Sequence, residues 1–127
     1  MKKTTLLVIL FALVFASPSY AEWENVAKSK DGTTFYVDYE RIRKHDGYVY
    51  WWLLQDLLKP TKYGDLSQIL YQQGDCKVFR YKILSYVFHK QPMGLDIGES
   101  SSPENPKWDY PRPGGGQEAI LKSVCSK

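Results

Sequence analysis

Seven consecutive residues, Tyr48-Val49-Tyr50-Trp51-Trp52-Leu53-Leu54, carry neither a charge nor an amide side chain, and Asp46-Gly47 turns the chain just before them. The run is rich in aromatic and aliphatic residues of high strand propensity. Alternation puts Tyr48, Tyr50, Trp52 and Leu54 on one face and Val49, Trp51 and Leu53 on the other. With both faces apolar, the segment is expected to be a central strand covered on both sides. Everything else in the chain has to be arranged around it.

Most of the remaining sequence also reads as strand. Trp23 to Lys28, the turn signal Asp31-Gly32 and Thr33 to Tyr39 make a hairpin. Arg41 to His45 is a brief strand or a turn. Pro60 and Gly64 bound a polar loop from Lys59 to Asp65, after which Leu66 to Gln73 alternates and Gly74-Asp75 turns into Cys76. Lys77 to His89 is the longest strand candidate, with Phe79, Tyr81, Ile83 and Val87 on one face. Beyond Gln91, Pro and Gly recur through an irregular connection that a short extended piece, Trp108 to Tyr110, interrupts. Gln117 to Cys125 lacks Gly and Pro and lines up Ile120, Leu121, Val124 and Cys125 on one helical face, with Gly116 as the expected N-cap. The fold class expected is α+β, mainly β: a single antiparallel sheet of about six strands with one C-terminal helix.

The N-terminus indicates the compartment. Met1-Lys2-Lys3 is basic, Leu6 to Ala16 is unbroken apolar sequence, and Ser19 and Ala21 put small residues at the −3 and −1 positions of a cleavage site. This is the layout of a secretory signal. Eleven apolar residues in a helix span roughly 16 Å, about half of the ~30 Å hydrocarbon layer. Residues 1–21 are therefore expected to be a signal peptide and residues 22–127 one exported domain, periplasmic or secreted, with no transmembrane segment in the mature chain. No Cys lies near the cleavage point, so no lipoprotein anchor is expected.

Removing Lys2 and Lys3 leaves fifteen basic against fourteen acidic residues, a net +1 in place of +3. That balance removes the electrostatic footing for nucleic-acid binding. Cys76 and Cys125 are the only cysteines. Export into an oxidising compartment favours their joining as a structural disulfide, with two unpaired thiols as the alternative. His45 and His89, the only histidines, match no ligand spacing with these cysteines, so no metal and no cofactor is expected.

Catalytic signatures are lacking as well. Gly114-Gly115-Gly116 precedes the helix, but no strand of a βαβ unit leads into it and no Lys-Ser/Thr follows, so it reads as a helix entry. His45 and His89 read as surface residues, and Asp96 and Glu99 as solvated loop acids, although such a pair could serve acid/base chemistry. The expectation is that the protein is not an enzyme. One short helix covers only one sheet face, which leaves the other to curvature, to the Pro-rich connection or to a partner. Trp108 and Tyr110 are candidate contact residues on that side, and packing under the connection is the competing reading. Lys59, Lys62 and Tyr63 form a second candidate cluster, for acidic segments of another protein or simply as solvated loop charge.

Taken in order, Trp23 with Val26, Tyr36-Val37-Asp38, Ile42-Arg43-Lys44, Trp52, Lys59-Pro60, Ser67, Asp75-Cys76 with Arg80, Met93-Gly94, Trp108, Pro113-Gly114, Glu118 and Val124-Cys125 resemble the bacterial surface-adhesin protein E-like domain family. The resemblance spans nearly the whole mature chain. It implies a small antiparallel sheet whose C-terminal helix is tethered to one face by a disulfide between Cys76 and Cys125. It also implies adhesion, that is, binding of extracellular-matrix and serum proteins. The function expected is binding of a host or cell-envelope protein through a sheet face or edge. A homodimer through the same elements would be compatible with it. The alternative is a periplasmic small-ligand or inhibitor protein with a cavity between helix and sheet.

Overall fold

The computed structural model describes residues 21–127; the segment expected to be the signal peptide lies outside the described residues except for Ala21. The order of elements is β1 (Glu24–Lys28), β2 (Thr34–Val37), a 3-10 turn (Tyr39–Arg41), β3 (Arg43–His45), β4 (Tyr48–Asp56), β5 (Ser67–Asp75), β6 (Arg80–His89), a second 3-10 turn (Pro92–Gly94), β7 (Glu99–Ser101) and α1 (Gly116–Cys125). The strands form one antiparallel sheet in the order β1-β2-β4-β5-β6-β7. β4 is central, as its composition predicts. One of its edges is shared by β3, with Arg43 opposite Tyr50, and β2, with Val37 opposite Leu53, while β5 takes the other.

The turns follow local chemistry. Asp46 and Gly47 both have positive φ, 50° and 82°, the backbone that a two-residue hairpin between β3 and β4 requires. Between β5 and β6, Asp75 Oδ1 accepts the backbone N–H groups of Lys77 and Val78 at 3.1 and 3.2 Å. This folds residues 76–79 into a turn, so β6 starts at Arg80 and not at Lys77.

α1 packs on one face of the sheet. Phe35, Val37, Val49, Trp51, Leu53 and Leu70 meet Ile120, Leu121 and Val124 in a single buried cluster. Trp51, Leu53, Ile120, Leu121 and Val124 are fully inaccessible, so they fill the space between helix and sheet that the alternative small-ligand reading needs as a cavity. Gln72 is also fully buried on this face, and it exchanges two amide hydrogen bonds with Gln117 of the helix, at 3.0 and 3.3 Å. Paired in this way, neither amide is left unsatisfied. The Cys76–Cys125 disulfide ties the last turn of α1 to the end of β5. Near it the Tyr39 and Ser123 hydroxyls are hydrogen-bonded.

Glycines set how closely these layers approach. A Cβ on Gly74 would lie 2.7 Å from the Trp51 ring and 2.9 Å from Leu121. A Cβ on Gly116 would run into the Phe35 ring. The N-cap is accordingly Gly115, one residue before the expected Gly116, and the helix begins with Gly116 against Phe35.

Three further expectations are corrected. The register of β5 against β6 shifts between Tyr71 and Gln72, with Gln72 opposite Ile83 and Tyr71 opposite Ser85. Leu84 is thus the extra residue of a bulge, and the alternation of β6 reverses there. Ile83 and Tyr86 consequently share the helix face, and Val87 falls on the other. Second, β7 pairs with the end of β6 inside the stretch that reads as irregular. Third, β4 is not covered on both sides: Val49, Trp51 and Leu53 are buried, but on the other face only Leu54 is, while Tyr48, Tyr50 and Trp52 are half-buried.

Candidate binding surface

The face without a helix is where the aromatic surplus of the sequence collects. Cross-strand register places Tyr50 and Trp52 beside Tyr71 of β5. The Tyr50 and Tyr71 rings stack at 6.1 Å between centroids, and Trp52 lies 4.6 Å from Tyr71. These contacts hold the rings in place while leaving part of each open to solvent. The 3-10 turn and β3 form a wall along one side. Together Glu40, Arg41, Ile42, Arg43, Trp52 and Tyr71 line an open groove of about 580 Å³. Arg41 is positioned there by Asp38, whose buried carboxylate lies 3.2 Å from its Nε.

Trp108 extends the same face at the far end. Asp109 pairs with Tyr81 in an isolated antiparallel bridge, their N–H and C=O groups exchanging bonds of 2.8 and 2.9 Å. That bridge places the neighbouring Trp108 beside Lys82. Arg80 and Lys82 both stand over the Trp108 ring, at 4.3 and 4.4 Å from its centroid, and Tyr48 is 5.5 Å away. Arg80 is itself held by Asp75 Oδ2 at 3.1 Å. Burial would raise the Asp75 pKa, but the Val78 N–H, the Arg80 guanidinium and the Lys77 N–H outweigh it and hold the carboxyl below the usual range. It is therefore anionic at neutral pH and keeps Arg80 in place. Burial, and then the Asp109 carboxylate, push the Tyr81 hydroxyl up, so it stays a neutral donor to Asp109.

The candidate residues read from the sequence do not come together as one patch. Trp108 is half-buried in the cluster just described, and Tyr110 next to it is 60% exposed. Lys59, Lys62 and Tyr63 lie in the loop after Asp56, at the opposite end of β4. A nine-residue strand separates the two ends by about 27 Å. In that loop Lys62 Nζ sits 5.0 Å over the Tyr63 ring, and Lys90 Nζ donates to the Tyr63 carbonyl at 2.6 Å.

Sequence reading missed Tyr48, Arg80 and Lys82 as partners of Trp108. The alternation of β4 was the one available signal, because it already put Tyr48, Tyr50 and Trp52 on a single face. His45 is exposed, as expected, but His89 is buried at 3% accessibility. Asp96 is bonded to His89 Nδ1 at 3.1 Å, and Glu99 stands exposed on β7. Among the described residues, no group of three or more His, Cys, Asp or Glu side chains could hold a metal ion.

A single antiparallel sheet, covered on one face by a disulfide-tethered C-terminal helix and open on the other as an aromatic and cationic surface, defines the class of the protein. Residues 23–126 match the family of the surface-adhesin protein E, and the chain belongs to that family. The fold is similar to that of Haemophilus influenzae protein E. Its crystal form II is 14% identical, covering 86% of this chain and 91% of that one at a TM-score of 0.61. Its selenomethionine form is 15% identical, covering 88% and 93% at a TM-score of 0.60. No curated protein matches the chain in sequence.

Proposed function

We propose that the protein is an exported, non-enzymatic binding domain whose helix-free sheet face recognises another protein. The observation that carries this reading is the half-exposed row Tyr50, Trp52 and Tyr71, continued by Trp108 under two cations. Aromatic rings beside Arg are the usual anchors of protein interfaces, since they bury much surface at little entropic cost. Arg41, Arg43, Arg80 and Lys82 border the row, which suits a partner segment carrying carboxylates between apolar side chains. Membership of an adhesin family supports an extracellular-matrix or serum protein as that partner.

Export by residues 1–21 and cleavage after Ala21, giving a mature chain from Glu22, belong to the same reading. No helix among the described residues is long and apolar enough to cross a membrane, which is consistent with it. Trp108 and Tyr110 lie within the proposed footprint. Lys59, Lys62 and Tyr63 join it only for a partner that runs the length of β4. A second copy of the chain is the other occupant such a face accepts, and a concentration-dependent mass in solution would reveal it.

The test is binding to immobilised extracellular-matrix extract. The variant Trp108→Ala with Lys82→Ala should bind at least about tenfold more weakly, as expected for loss of an interface anchor. Lys122→Ala, on the outer side of α1, should bind as the unaltered protein does. Equal retention of all three would end the proposal.

A further inference from the structure

Three connections meet at one end of the sheet. Thr34 pairs with Lys28 on one side and Asp56 on the other, so the turn between β1 and β2 and the loop after β4 leave side by side. His89 lies opposite Ser67, which brings the loop after β6 to the same end. The three are fastened to one another. The Leu58 side chain packs on Gly32, where a Cβ would lie 2.7 Å from it. Lys90 Nζ holds Asp65 at 2.9 Å as well as the Tyr63 carbonyl, and the Met93 N–H donates to Asp56 Oδ1 at 2.8 Å. Asp96 accepts the N–H groups of Lys90 and Gln91 at 3.0 and 3.3 Å, which fixes the tip between Leu95 and Ile97.

Apolar side chains stand out from these fastened loops. Ile97 is 97% exposed, Leu95 75%, Tyr63 71% and Leu58 68%. The other exposed large apolar side chains among the described residues, Val78 and Tyr110, lie at the opposite end of the sheet and are less exposed. Such a concentration at one end marks a contact site. Lys28, Lys30, Lys59, Lys62 and Lys90 are exposed around it. Of the carboxylates there, Asp56, Asp65 and Asp96 are engaged by the Met93 N–H, by Lys90 and by backbone N–H groups, which leaves Asp31 and Glu99 as the exposed ones. Tyr63, with Lys62 Nζ 5.0 Å over its ring, has the amphipathic make-up of residues found at headgroup level. Side chains that project from the tips of separate loops need no shaped complement, and a fluid apolar layer takes them one by one. We propose that this end of the protein docks on the surface of a phospholipid bilayer bearing anionic headgroups. Leu58, Leu95 and Ile97 enter the boundary between headgroups and acyl chains, and the lysines meet the lipid phosphates. The inference is independent of protein recognition by the helix-free face.

Vesicle flotation tests this. Protein expressed as the full chain and recovered after export is mixed with vesicles of phosphatidylcholine and phosphatidylglycerol, or of phosphatidylcholine alone, and the floated fraction is titrated against lipid. The unaltered protein should bind the mixed vesicles about tenfold or more tightly than the neutral ones, since each lysine near an anionic surface adds to the attraction. Leu95→Ser with Ile97→Ser should weaken binding to the mixed vesicles at least about tenfold through the lost apolar burial. Val78→Ser, at the opposite end, should bind as the unaltered protein does. All three substitutions fall at exposed positions and should leave the thermal melt in place. No flotation of the unaltered protein with the mixed vesicles, a result that needs no variant to fold, would overturn the proposal. So would undiminished binding by the double variant. A solution mass that rises with concentration for the unaltered protein and not for the double variant would also overturn it, because a second copy would then cover the patch.

Discussion

Replacing Trp108 by Ala removes three interactions at once: the cations of Arg80 and Lys82 at 4.3 and 4.4 Å, and the Tyr48 ring at 5.5 Å. A partly exposed cation over an indole contributes about 0.5–1 kcal/mol. A tilted aromatic pair contributes about 0.5–1.5 kcal/mol. The sum points to a loss of about 2 kcal/mol, a drop in Tm of about 10 °C for a domain of this size. Urea unfolding followed by circular dichroism measures it without relying on the tryptophan fluorescence that the substitution alters. The cycle with Lys82→Ala isolates one contact: in that background Trp108→Ala should cost about 0.5–1 kcal/mol less. Tyr110→Ala, at 60% exposure, should stay within about 0.5 kcal/mol and serves as the neighbouring control. A Trp108→Ala loss below about 0.5 kcal/mol, or no coupling to Lys82, would refute the reasoning that this ring latches the long connection onto the sheet.

Three other perturbations have clear expected outcomes. Cys76→Ser with Cys125→Ser opens a link between residues 49 apart, which should lower stability by about 4 kcal/mol in the chain-entropy treatment, read as a fall in urea midpoint with a steeper slope, because the opened chain is less compact when unfolded. Gly74→Ala forces a methyl group between Trp51 and Leu121 and should cost about 1–3 kcal/mol in the same assay; a neutral result would mean the layers can separate freely. Asp31, Asp75 and Asp96 all have folded-state pKa values below the ordinary carboxylate value, so the stability they contribute is present above about pH 4 and is lost as pH falls through the lowered values. Urea midpoints across that range should drop steeply for the unaltered protein and less so for Asp75→Asn.

What could be read from the sequence was what local chemistry decides. The central position of Tyr48–Leu54 follows from seven residues without charge, the β3–β4 turn from Asp46-Gly47, and the helix from an apolar face free of Gly and Pro. The disulfide was legible because two cysteines have one pairing. The bulge at Leu84 was not, because it exists only in the register of β6 against β5 and reverses which residues of β6 meet the helix. His89 looked like a strand-end surface residue. It is buried because the 3-10 turn at Pro92–Gly94 and the loop through Gly98 fold back on it, and neither carries an apolar periodicity. Of the candidate site, Trp108 was visible as an aromatic in an irregular stretch. Its partners Tyr48, Arg80 and Lys82 are 26 to 60 positions away in sequence and meet it only through the bridge between Tyr81 and Asp109.

The claim at the centre is that one sheet face is reserved for the helix and the other for a partner. Hydroxyl-radical footprinting, read residue by residue by mass spectrometry with and without immobilised matrix extract, measures this on the unaltered protein. Protection of Trp52, Tyr71 and Trp108, with Tyr39 beside the helix equally labelled in both states, is the predicted pattern. Protection confined to Tyr39 and the helix side, with the three aromatic rings labelled as in the free protein, would contradict it.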